Sequence, residues 1–404
     1  MLERLIGMGA EESAVLEAVE RFALEVLRPV GRELDALGDP AQVVEPGSML
    51  WGVFDHYRDF GVDAADLADG GLAPEREALL RAVVNELLGW GDAGLAISLE
   101  VSMFPRFLAR LSENAALIER FDRPDVVGCW AITEPDHGSD VLLYGSHLQD
   151  MPGRPNCVAR RDGDQWVIRG QKAAWVSNGT IATAAALFCQ VDLGAGSAGM
   201  GGFLVPLDDP AVIRGKPLDK LGQRALNQGE LFFDDVRVPF EYLIAPPEAS
   251  TVSADLVLAA ANASMGSTFT GVARAAYELA FDYAHERIQG GAPIIRHQNV
   301  QATLFSMFRR VQAAQALSRH VMVRNATVGP SVELAIASKV TATQTAFDVA
   351  SDALGIFGGN GLSREYPIEK VLRDARASMI EDGSNDVLGL LAMQRIVTKG
   401  DPHG

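Results

Sequence analysis

The chain has 404 residues, of which 48 % are hydrophobic and 22 % charged, so it is long enough for two or three domains and has the composition of a soluble globular protein. Its formal net charge of −18 argues against nucleic acid or an anionic membrane as a partner, although a local positive site would still accept an anionic ligand. The cysteines form no CxxC pair, no HExxH occurs, and neither a signal peptide nor a membrane-spanning apolar run is recognisable. We therefore expect a cytoplasmic protein without a bound metal.

Helical periodicity dominates the first third of the chain. Apolar residues recur at helical spacing from Glu11 to Leu37, again after Pro74, and from Leu95 to Leu111 with an interruption near Pro105. The sequence therefore predicts an N-terminal helical domain over residues 1–126.

The pattern changes to short β-type runs near Val127. Two runs flank the turn Asp162-Gly163-Asp164, and further runs follow at intervals of roughly 10 to 20 residues without helices between them. This arrangement predicts an antiparallel β-barrel or sandwich domain over residues 127–245.

Long helical runs return after Pro247. They cover Leu256–Arg287, Arg296–Asn325 and Pro330–Leu354, and at least one more lies between Pro367 and Thr398. The expected C-terminal domain, residues 246–404, is a four-helix bundle, which makes the overall fold class α+β.

Residues Gly194–Gly199 match GxGxxG, the fingerprint of a dinucleotide-binding turn. That fingerprint needs a helix opening at its third glycine, whereas here another strand follows. We interpret the segment as an inter-strand loop.

Three stretches combine polar groups with features that suit a flat cofactor. Trp130–Asp140 places hydroxyls and His137 on a loop after a strand, and Lys172–Gly179 sets an indole and a hydroxyl at a strand end. Gly355–Gly389 contains a glycine-dense turn and two adjacent carboxylates. Taken singly, each has a simpler interpretation, since glycine turns end helices, an indole is often core, and a loop histidine usually has a positioning role.

Together these stretches resemble the acyl-CoA dehydrogenase family. TEPDHGSD is similar to the family's TEPxAGSD and KAAWVSNG to its K-x-W-x-(S/T)-N-G. LGQRALNQGELFFDDVRVP, the segment from Arg287 to Gln298, GGNGLSREYPIEKVLRDAR and EDGSND resemble further family segments in the same order. The resemblance runs from about Trp130 to about Leu388.

The resemblance implies bound FAD, a homotetramer or homodimer, and an electron-transfer flavoprotein as acceptor. It places Ser139 beside the thioester or pantetheine arm of the substrate, and Ser384 and Asp386 near the adenine-side phosphates of FAD. The residues that it assigns to the flavin ring are Trp130, Ile132, Thr133, Trp175 and Ser177. Those that it assigns to the FAD of a neighbouring subunit are Arg287, Gln289, Gln298, Gly358 and Gly359.

The family's reaction removes the proton α to a thioester carbonyl with a carboxylate, while the β-hydride goes to the flavin. The family's glutamate aligns with Asp382, whose side chain is shorter by one methylene; this would set the carboxylate roughly 1–1.5 Å further back, so the adjacent Glu381 is the other candidate base. Three further positions depart from the family pattern, namely Ala261, Asn262 and Gly290. These departures favour an unusual acyl group, carried by coenzyme A or by a carrier protein.

Two other hypotheses about the function stay open. One is a flavin oxidase resembling nitroalkane oxidase, which uses an aspartate base together with an arginine seven residues further on; that position is Gly389 here. The other is a family member that keeps the fold and flavin but has lost the dehydrogenase activity, which the two adjacent carboxylates disfavour.

Overall fold

The computed structural model describes residues 9–60, 71–143, 156–194 and 197–400. Its N-terminal part is helical, as predicted. A π-helical turn, Ala23–Leu27, continues the first helix into the second. The helices are α1 Ala10–Phe22, α2 Arg28–Ala36, α3 Met49–Phe60, α4 Pro74–Gly91, α5 Ala93–Ser102, α6 Phe104–Leu111 and α7 Ala115–Phe121.

Local sequence explains where the helices break. Asp92 caps α5, because its Oδ1 accepts a hydrogen bond from the Leu95 amide at 2.9 Å. The predicted interruption near Pro105 is present, and α6 begins with this proline in its first turn.

One mixed sheet of eight strands forms the middle of the chain. Its strands are β1 Gly128–Ala131, β2 Val158–Asp162, β3 Gln165–Ser177, β4 Ala184–Asp192, β5 Ser197–Pro206, β6 Val212–Arg214, β7 Gln228–Pro239 and β8 Leu243–Ala245. The order is β6-β7-β3-β2-β4-β5-β8, with β1 beside β4.

The sheet differs from a closed antiparallel barrel. Most strand pairs are antiparallel, including the predicted hairpin of β2 and β3, but β4 pairs in parallel with both β1 and β2. The order ends on β6 and β8, so the barrel alternative is wrong and the sandwich alternative describes the domain better. Closure depends on strand tilt and register, which hydrophobic alternation does not specify.

Long helices form the C-terminal part, as predicted. They are α8 Ser250–Glu286, α9 Gln298–Thr327, α10 Val332–Phe357, α11 Ile368–Ser378 and α12 Asn385–Lys399. A small hairpin, β9 Ile288–Gln289 with β10 Ala292–Pro293, joins α8 to α9. The division at residues 126 and 245 stays a prediction.

Helix α8 is the central element of the bundle. A Cβ at Gly266 would overlap the hydroxyl of Ser338 on α10, and one at Gly271 would overlap the backbone of Glu86 on α4, so glycine permits close approach on both sides. By length and composition α8 could cross a membrane, but 78 % of its most apolar stretch is buried inside the protein, as in the core helix of a globular domain.

The parts of the chain meet around Trp130 at the end of β1. Its indole packs against the apolar cluster that contains Leu258 of α8 and Leu388 of α12, and Leu142 of the loop after β1 packs against the same cluster. This junction of sheet, bundle and C-terminal turn positions the candidate site.

Candidate active site

A cavity of about 520 Å³ opens at this junction. It brings together the predicted flavin residues, the predicted substrate residue and both candidate bases. Its lining includes Trp130, Ile132, Thr133, Ser139, Trp175, Ser177, Glu381 and Asp382, together with Val101, Leu142, Lys220, Gln223, Leu258, Arg376 and Ile380.

A buried ion pair holds the loop that follows β1. Lys172 on β3 donates from Nζ to Glu134 Oε1 at 2.6 Å and to the Ile132 carbonyl at 3.0 Å, and both charged side chains are fully buried. The Ala173 amide donates to the Thr133 carbonyl at 2.9 Å. These contacts fix Ile132 and Thr133 at the cavity wall.

An exposed indole and a hydroxyl form the neighbouring wall at the end of β3. Trp175 is 60 % exposed although it lies on a strand of the sheet. Gln228 Nε2 donates to Ser177 Oγ at 3.2 Å and to the Trp175 carbonyl at 3.3 Å. An aromatic face beside fixed hydroxyls is a donor set that suits a flat heteroaromatic ring.

Trp130 provides a second indication of a ligand. Its indole packs against Phe104 and Phe188, with ring centroids 5.6 and 6.5 Å away. Its Nε1 is buried and has no hydrogen-bond partner among the described residues. Because buried donors are nearly always paired, this N–H suits a bound acceptor.

The candidate bases lie on a tight turn between α11 and α12. Asp382 and Gly383 both have positive φ, +51° and +94°, so Asp382 occupies a conformation that non-glycine residues seldom adopt. The Ser384 amide donates to Ser139 Oγ at 2.9 Å, and the Ser384 side chain caps α12. This contact connects the turn to the loop after β1.

Glu381 and Asp382 differ in their hydrogen bonding. Gln223 Nε2 donates to Glu381 Oε1 at 2.6 Å, and the Gln223 amide is anchored to the carboxylate of Asp374 on α11. No described residue donates a hydrogen bond to the side chain of Asp382, which is partly accessible to the cavity. Glu381 is therefore restrained, whereas the Asp382 carboxylate is free to contact a ligand.

Two lysines near the turn, the buried Lys339 and the half-buried Lys220, were not singled out from the sequence. Lys339 on α10 donates from Nζ to the Gly383 carbonyl at 2.8 Å and to Asn385 Oδ1 at 2.9 Å. Lys220 donates to the Leu226 carbonyl and Gln228 Oε1, both at 2.8 Å. Neither lysine stands in a recognisable motif; a lysine on an otherwise apolar stretch of helix was the only signal for Lys339.

Glu100 on α5 is a third carboxylate near this region that the sequence did not indicate. Its oxygens accept hydrogen bonds from Ser264 at 2.5 Å and Thr268 at 2.6 Å, both on α8. Burial raises the pKa of Glu100 to about 7 against these hydrogen bonds, and the charge of Asp382 raises it further.

Burial also governs the electrostatics of the turn. It raises the pKa of Asp382 to about 6, opposed by the charge of Lys339. It raises the pKa of Glu381 as well, where the Gln223 hydrogen bond and both lysines act in the opposite direction and Asp382 adds to the rise. Burial lowers the pKa of both Lys220 and Lys339. The turn thus holds two carboxylates of raised pKa beside two lysines of lowered pKa.

Several predicted residues lie away from the cavity. The exposed group at the other end of the bundle comprises Arg287, Gln289, Gln298, Gly358 and Gly359. Leu258 lines the cavity, and Arg287, at the C-terminal end of the same helix, comes 29 residues later, which places it roughly 40 Å along the helix axis. Asp386 is exposed in the first turn of α12 and does not line the cavity.

The remaining predicted positions have structural explanations. His137 is buried, and its Nδ1 lies 3.0 Å from Asp140 Oδ2, so it is not a cavity residue. Asn262 is buried, and its Nδ2 donates to the Leu258 carbonyl within α8. Gly290 has a φ of +64° in the β9–β10 turn, a conformation that favours glycine over phenylalanine.

Comparison with known proteins identifies the family. The model for the acyl-CoA dehydrogenase middle domain matches residues 129–236, and that for the acyl-CoA dehydrogenase C-terminal domain matches residues 254–397. The short-chain specific acyl-CoA dehydrogenase of Rattus norvegicus mitochondria is 32 % identical over 386 residues, covering 94 % of this chain and 87 % of that protein. The chain belongs to the acyl-CoA dehydrogenase family. Members are FAD-dependent oxidoreductases that act on CH–CH groups, and the donor set around Trp130 and Trp175 fits FAD.

Solved structures share the fold over nearly the whole chain. Butyryl-CoA dehydrogenase from Megasphaera elsdenii superposes with a TM-score of 0.83 at 23 % identity, covering 97 % of this chain and all of that one. The prolyl acyl carrier protein oxidase AnaB gives a TM-score of 0.82 at 20 % identity, covering 96 % of this chain and all of that one. The same architecture therefore occurs in proteins named for different thioester carriers.

Proposed function

We propose that this family member dehydrogenates an acyl thioester and that Asp382 is the base that removes the proton α to the thioester carbonyl. One observation supports this most directly. The Asp382 carboxylate has no hydrogen-bond donor among the described residues and lines the cavity that also contains Thr133, Trp175 and Ser177. A carboxylate in a partly dehydrated cavity is a stronger base than one in water.

Glu381 is in this proposal a positioning residue. Its Oε1 accepts a short hydrogen bond from Gln223, which is itself anchored to α11 through Asp374. A general base needs a free oxygen to take up the proton that it removes, and this hydrogen bond occupies one Glu381 oxygen. The geometry therefore favours Asp382.

The protonation state of Asp382 suits the reaction. With its pKa raised to about 6, Asp382 is mostly ionised at neutral pH. It is nevertheless a stronger base than a solvated aspartate, so its pKa is closer to that of the α-proton which it removes. Removal of the α-proton also needs hydrogen-bond donors to the thioester carbonyl oxygen, because negative charge develops there.

FAD, when bound, would accept the hydride from the β-carbon of the substrate. The residues proposed to hold its ring are Trp130, Ile132, Thr133, Trp175 and Ser177, all of which line the cavity. Trp175 would stack on the ring and the two hydroxyls would contact its polar edge. Ser384 and Asp386 remain proposed for the adenine-side phosphates.

The substrate is proposed to be an apolar acyl group on coenzyme A or on a carrier protein. Apolar side chains form part of the lining of the cavity that contains Asp382, namely Val101 on α5, Leu258 on α8 and Ile380 in the turn. Because the aspartate is one methylene shorter than the family's glutamate, the α-carbon must lie roughly 1–1.5 Å closer to the turn. Ser139 would contact the thioester or pantetheine arm.

The residues proposed to contact FAD at the far end of the bundle imply a second subunit. Arg287 lies roughly 40 Å along α8 from the cavity, too far for both sets of residues to hold one FAD ring. We assign Arg287, Gln289, Gln298, Gly358 and Gly359 to the FAD of a neighbouring copy in a homotetramer or homodimer. The proposed electron acceptor is an electron-transfer flavoprotein, and the proposed location is the cytoplasm.

The decisive experiment is an anaerobic titration of the purified flavoprotein with a panel of acyl-CoA thioesters, monitored by the oxidised-flavin absorbance. We expect at least one thioester to bleach the band. Asp382→Asn should slow this bleaching by about 10²–10⁴-fold, the usual contribution of a general base, whereas Glu381→Gln should retain it within about tenfold. Normal reduction in Asp382→Asn with loss in Glu381→Gln would reverse the assignment.

Other outcomes would select the alternatives. Bleaching by nitroalkanes with peroxide release in air would indicate an oxidase that uses Asp382 as base. A bound flavin that neither coenzyme A thioesters, carrier-protein thioesters nor nitroalkanes reduce would indicate a member without dehydrogenase activity.

A further inference from the structure

The buried ammonium group of Lys339 is the feature that the mechanism above leaves unused. Its side chain is fully buried in α10, and its two hydrogen-bond acceptors, the Gly383 carbonyl and Asn385 Oδ1, are both uncharged. Among the described residues it forms no ion pair. Burying a charge without a partner of opposite charge is costly in free energy, so a buried ammonium group at this position is a candidate for a functional role.

One acceptor of Lys339, Gly383, lies in the turn that carries Asp382, and the other, Asn385, is the first residue of α12 directly after it. Asn385 is further held by Thr343, one helical turn after Lys339, whose Oγ1 accepts from Asn385 Nδ2 at 3.1 Å. The turn includes two consecutive residues with positive φ, and a non-glycine residue in that region is strained by about 1 kcal/mol or more. Such a conformation persists only when surrounding contacts hold it.

We propose that Lys339 is a positioning residue for Asp382: it holds the strained turn through Gly383 and Asn385 and supplies the positive charge that keeps the Asp382 carboxylate ionised. This inference rests on the proposed function of Asp382. It assigns to α10 a part in proton abstraction, although no residue of that helix lines the cavity.

The charges around the turn come from four directions. Lys339 faces it from α10, Lys220 from the segment before β7 and Glu100 from α5, while Arg376 of α11 lines the same cavity and Glu381 belongs to the turn itself. Lys220 is bound to Leu226 and Gln228 and acts on Glu381 rather than on Asp382. The charge of Lys339 opposes the rise that burial causes in the pKa of Asp382, so without Lys339 this pKa would rise further.

The test compares Lys339→Met with the charge-retaining Lys339→Arg in the holoenzyme. The measurement is the pH profile of kcat/KM for a thioester that reduces the wild-type flavin. At pH values below the pKa of the catalytic base, kcat/KM falls tenfold for each pH unit; this part of the profile is its acid limb. We expect Lys339→Met to move this acid limb upward by about one pH unit or more, equal to a tenfold loss at low pH. Lys339→Arg should keep the limb near its wild-type position even if its longer side chain lowers kcat.

Thr343→Val is the matched control, because it weakens the hold on Asn385 without removing a charge. It should lower kcat while leaving the acid limb in place. A second readout, α-deuterium incorporation into the thioester in D₂O, follows proton abstraction without hydride transfer and should show the same shift. Should Lys339→Met fail to fold, Lys339→Gln replaces it.

Two failures are distinguishable. If no thioester reduces the wild-type flavin and no α-exchange occurs, the proposed function is wrong. If the wild type reacts but folded Lys339→Met or Lys339→Gln keeps the wild-type acid limb in both readouts, only the inference about Lys339 is overturned.

Discussion

At the scale of single residues, Glu100 is a carboxyl group whose ionisation opposes folding. Its carboxylate lies between α5 and α8, and the groups that contact it, Ser264 and Thr268, are hydroxyls rather than cations. Its pKa of about 7 lies well above that of a solvated glutamate, so the folded state binds a proton more tightly than the unfolded state. Its ionisation therefore destabilises the fold as pH rises from about 4.5 to about 7.

This sign gives a prediction for stability. Glu100→Gln removes the ionisation, so it should stabilise the protein at pH 8 relative to wild type, on the order of 1–2 kcal/mol, and change it little near pH 5. Urea unfolding at the two pH values measures the difference. Glu119→Gln, at an exposed position on α7, is the control and should leave the pH dependence unchanged. An equal effect of Glu100→Gln at both pH values would contradict the assigned cause.

At the scale of elements, the pair Glu134–Lys172 joins the end of β1 to β3. Both side chains are fully buried, and Glu134 also accepts hydrogen bonds from the backbone amides of Asn156 and Cys157. Breaking a buried pair leaves an uncompensated charge. The pair therefore holds the loop that presents Ile132 and Thr133 to the cavity.

Lys172→Met should cost about 3–5 kcal/mol of unfolding free energy and lower the FAD content of the purified protein. Denaturant unfolding and the ratio of flavin to protein absorbance measure the two effects. Arg160→Ala removes an exposed partner of Asp192, whose loss should cost less than about 1 kcal/mol. A Lys172→Met protein with normal stability and full FAD would show that the loop is held by other contacts.

The same scale shows what the sequence could predict. Helix and strand periodicity indicated the three successive parts, and the motifs around Trp130, Trp175 and Asp382 indicated residues that the fold brings into one cavity. Strands β6 and β8 were not predicted, because three residues are too few for a periodic signal. Lys339, Gln223 and Glu100 were not predicted, because each lies far from the turn in the sequence and only the fold brings it near.

At the scale of the whole molecule, one end of the bundle is incompletely covered in a single chain. Ile288 and Leu362 are 67 % and 75 % exposed there. The guanidinium of Arg287 is exposed and forms no hydrogen bond or ion pair with the residues that the structure describes. An acidic protein must bind the FAD pyrophosphate through local positive groups, and a free arginine is suited to this.

Arg287→Ala should therefore reduce FAD retention, although Arg287 lies roughly 40 Å along α8 from the candidate-site cavity of its own chain. Loss of a charge-assisted contact of about 1.5–3 kcal/mol corresponds to roughly a 10- to 100-fold weaker affinity for FAD. Ultrafiltration of the purified protein, followed by measurement of the flavin absorbance, quantifies the loss, and light scattering gives the oligomeric state.

Arg296→Ala is the matched control, since Arg296 is an exposed arginine of the neighbouring turn that no motif assigns to FAD. It should retain FAD fully. The assignment to a neighbouring subunit requires an oligomer as well as an effect of Arg287→Ala. A monomeric wild type that holds FAD tightly, with Arg287→Ala indistinguishable from Arg296→Ala, would place all FAD contacts within one chain. A mixed oligomer of wild-type and Arg287→Ala subunits would distinguish the two arrangements directly. If Arg287 contacts the FAD of a neighbouring subunit, FAD should be depleted only from the cavity that faces the altered arginine.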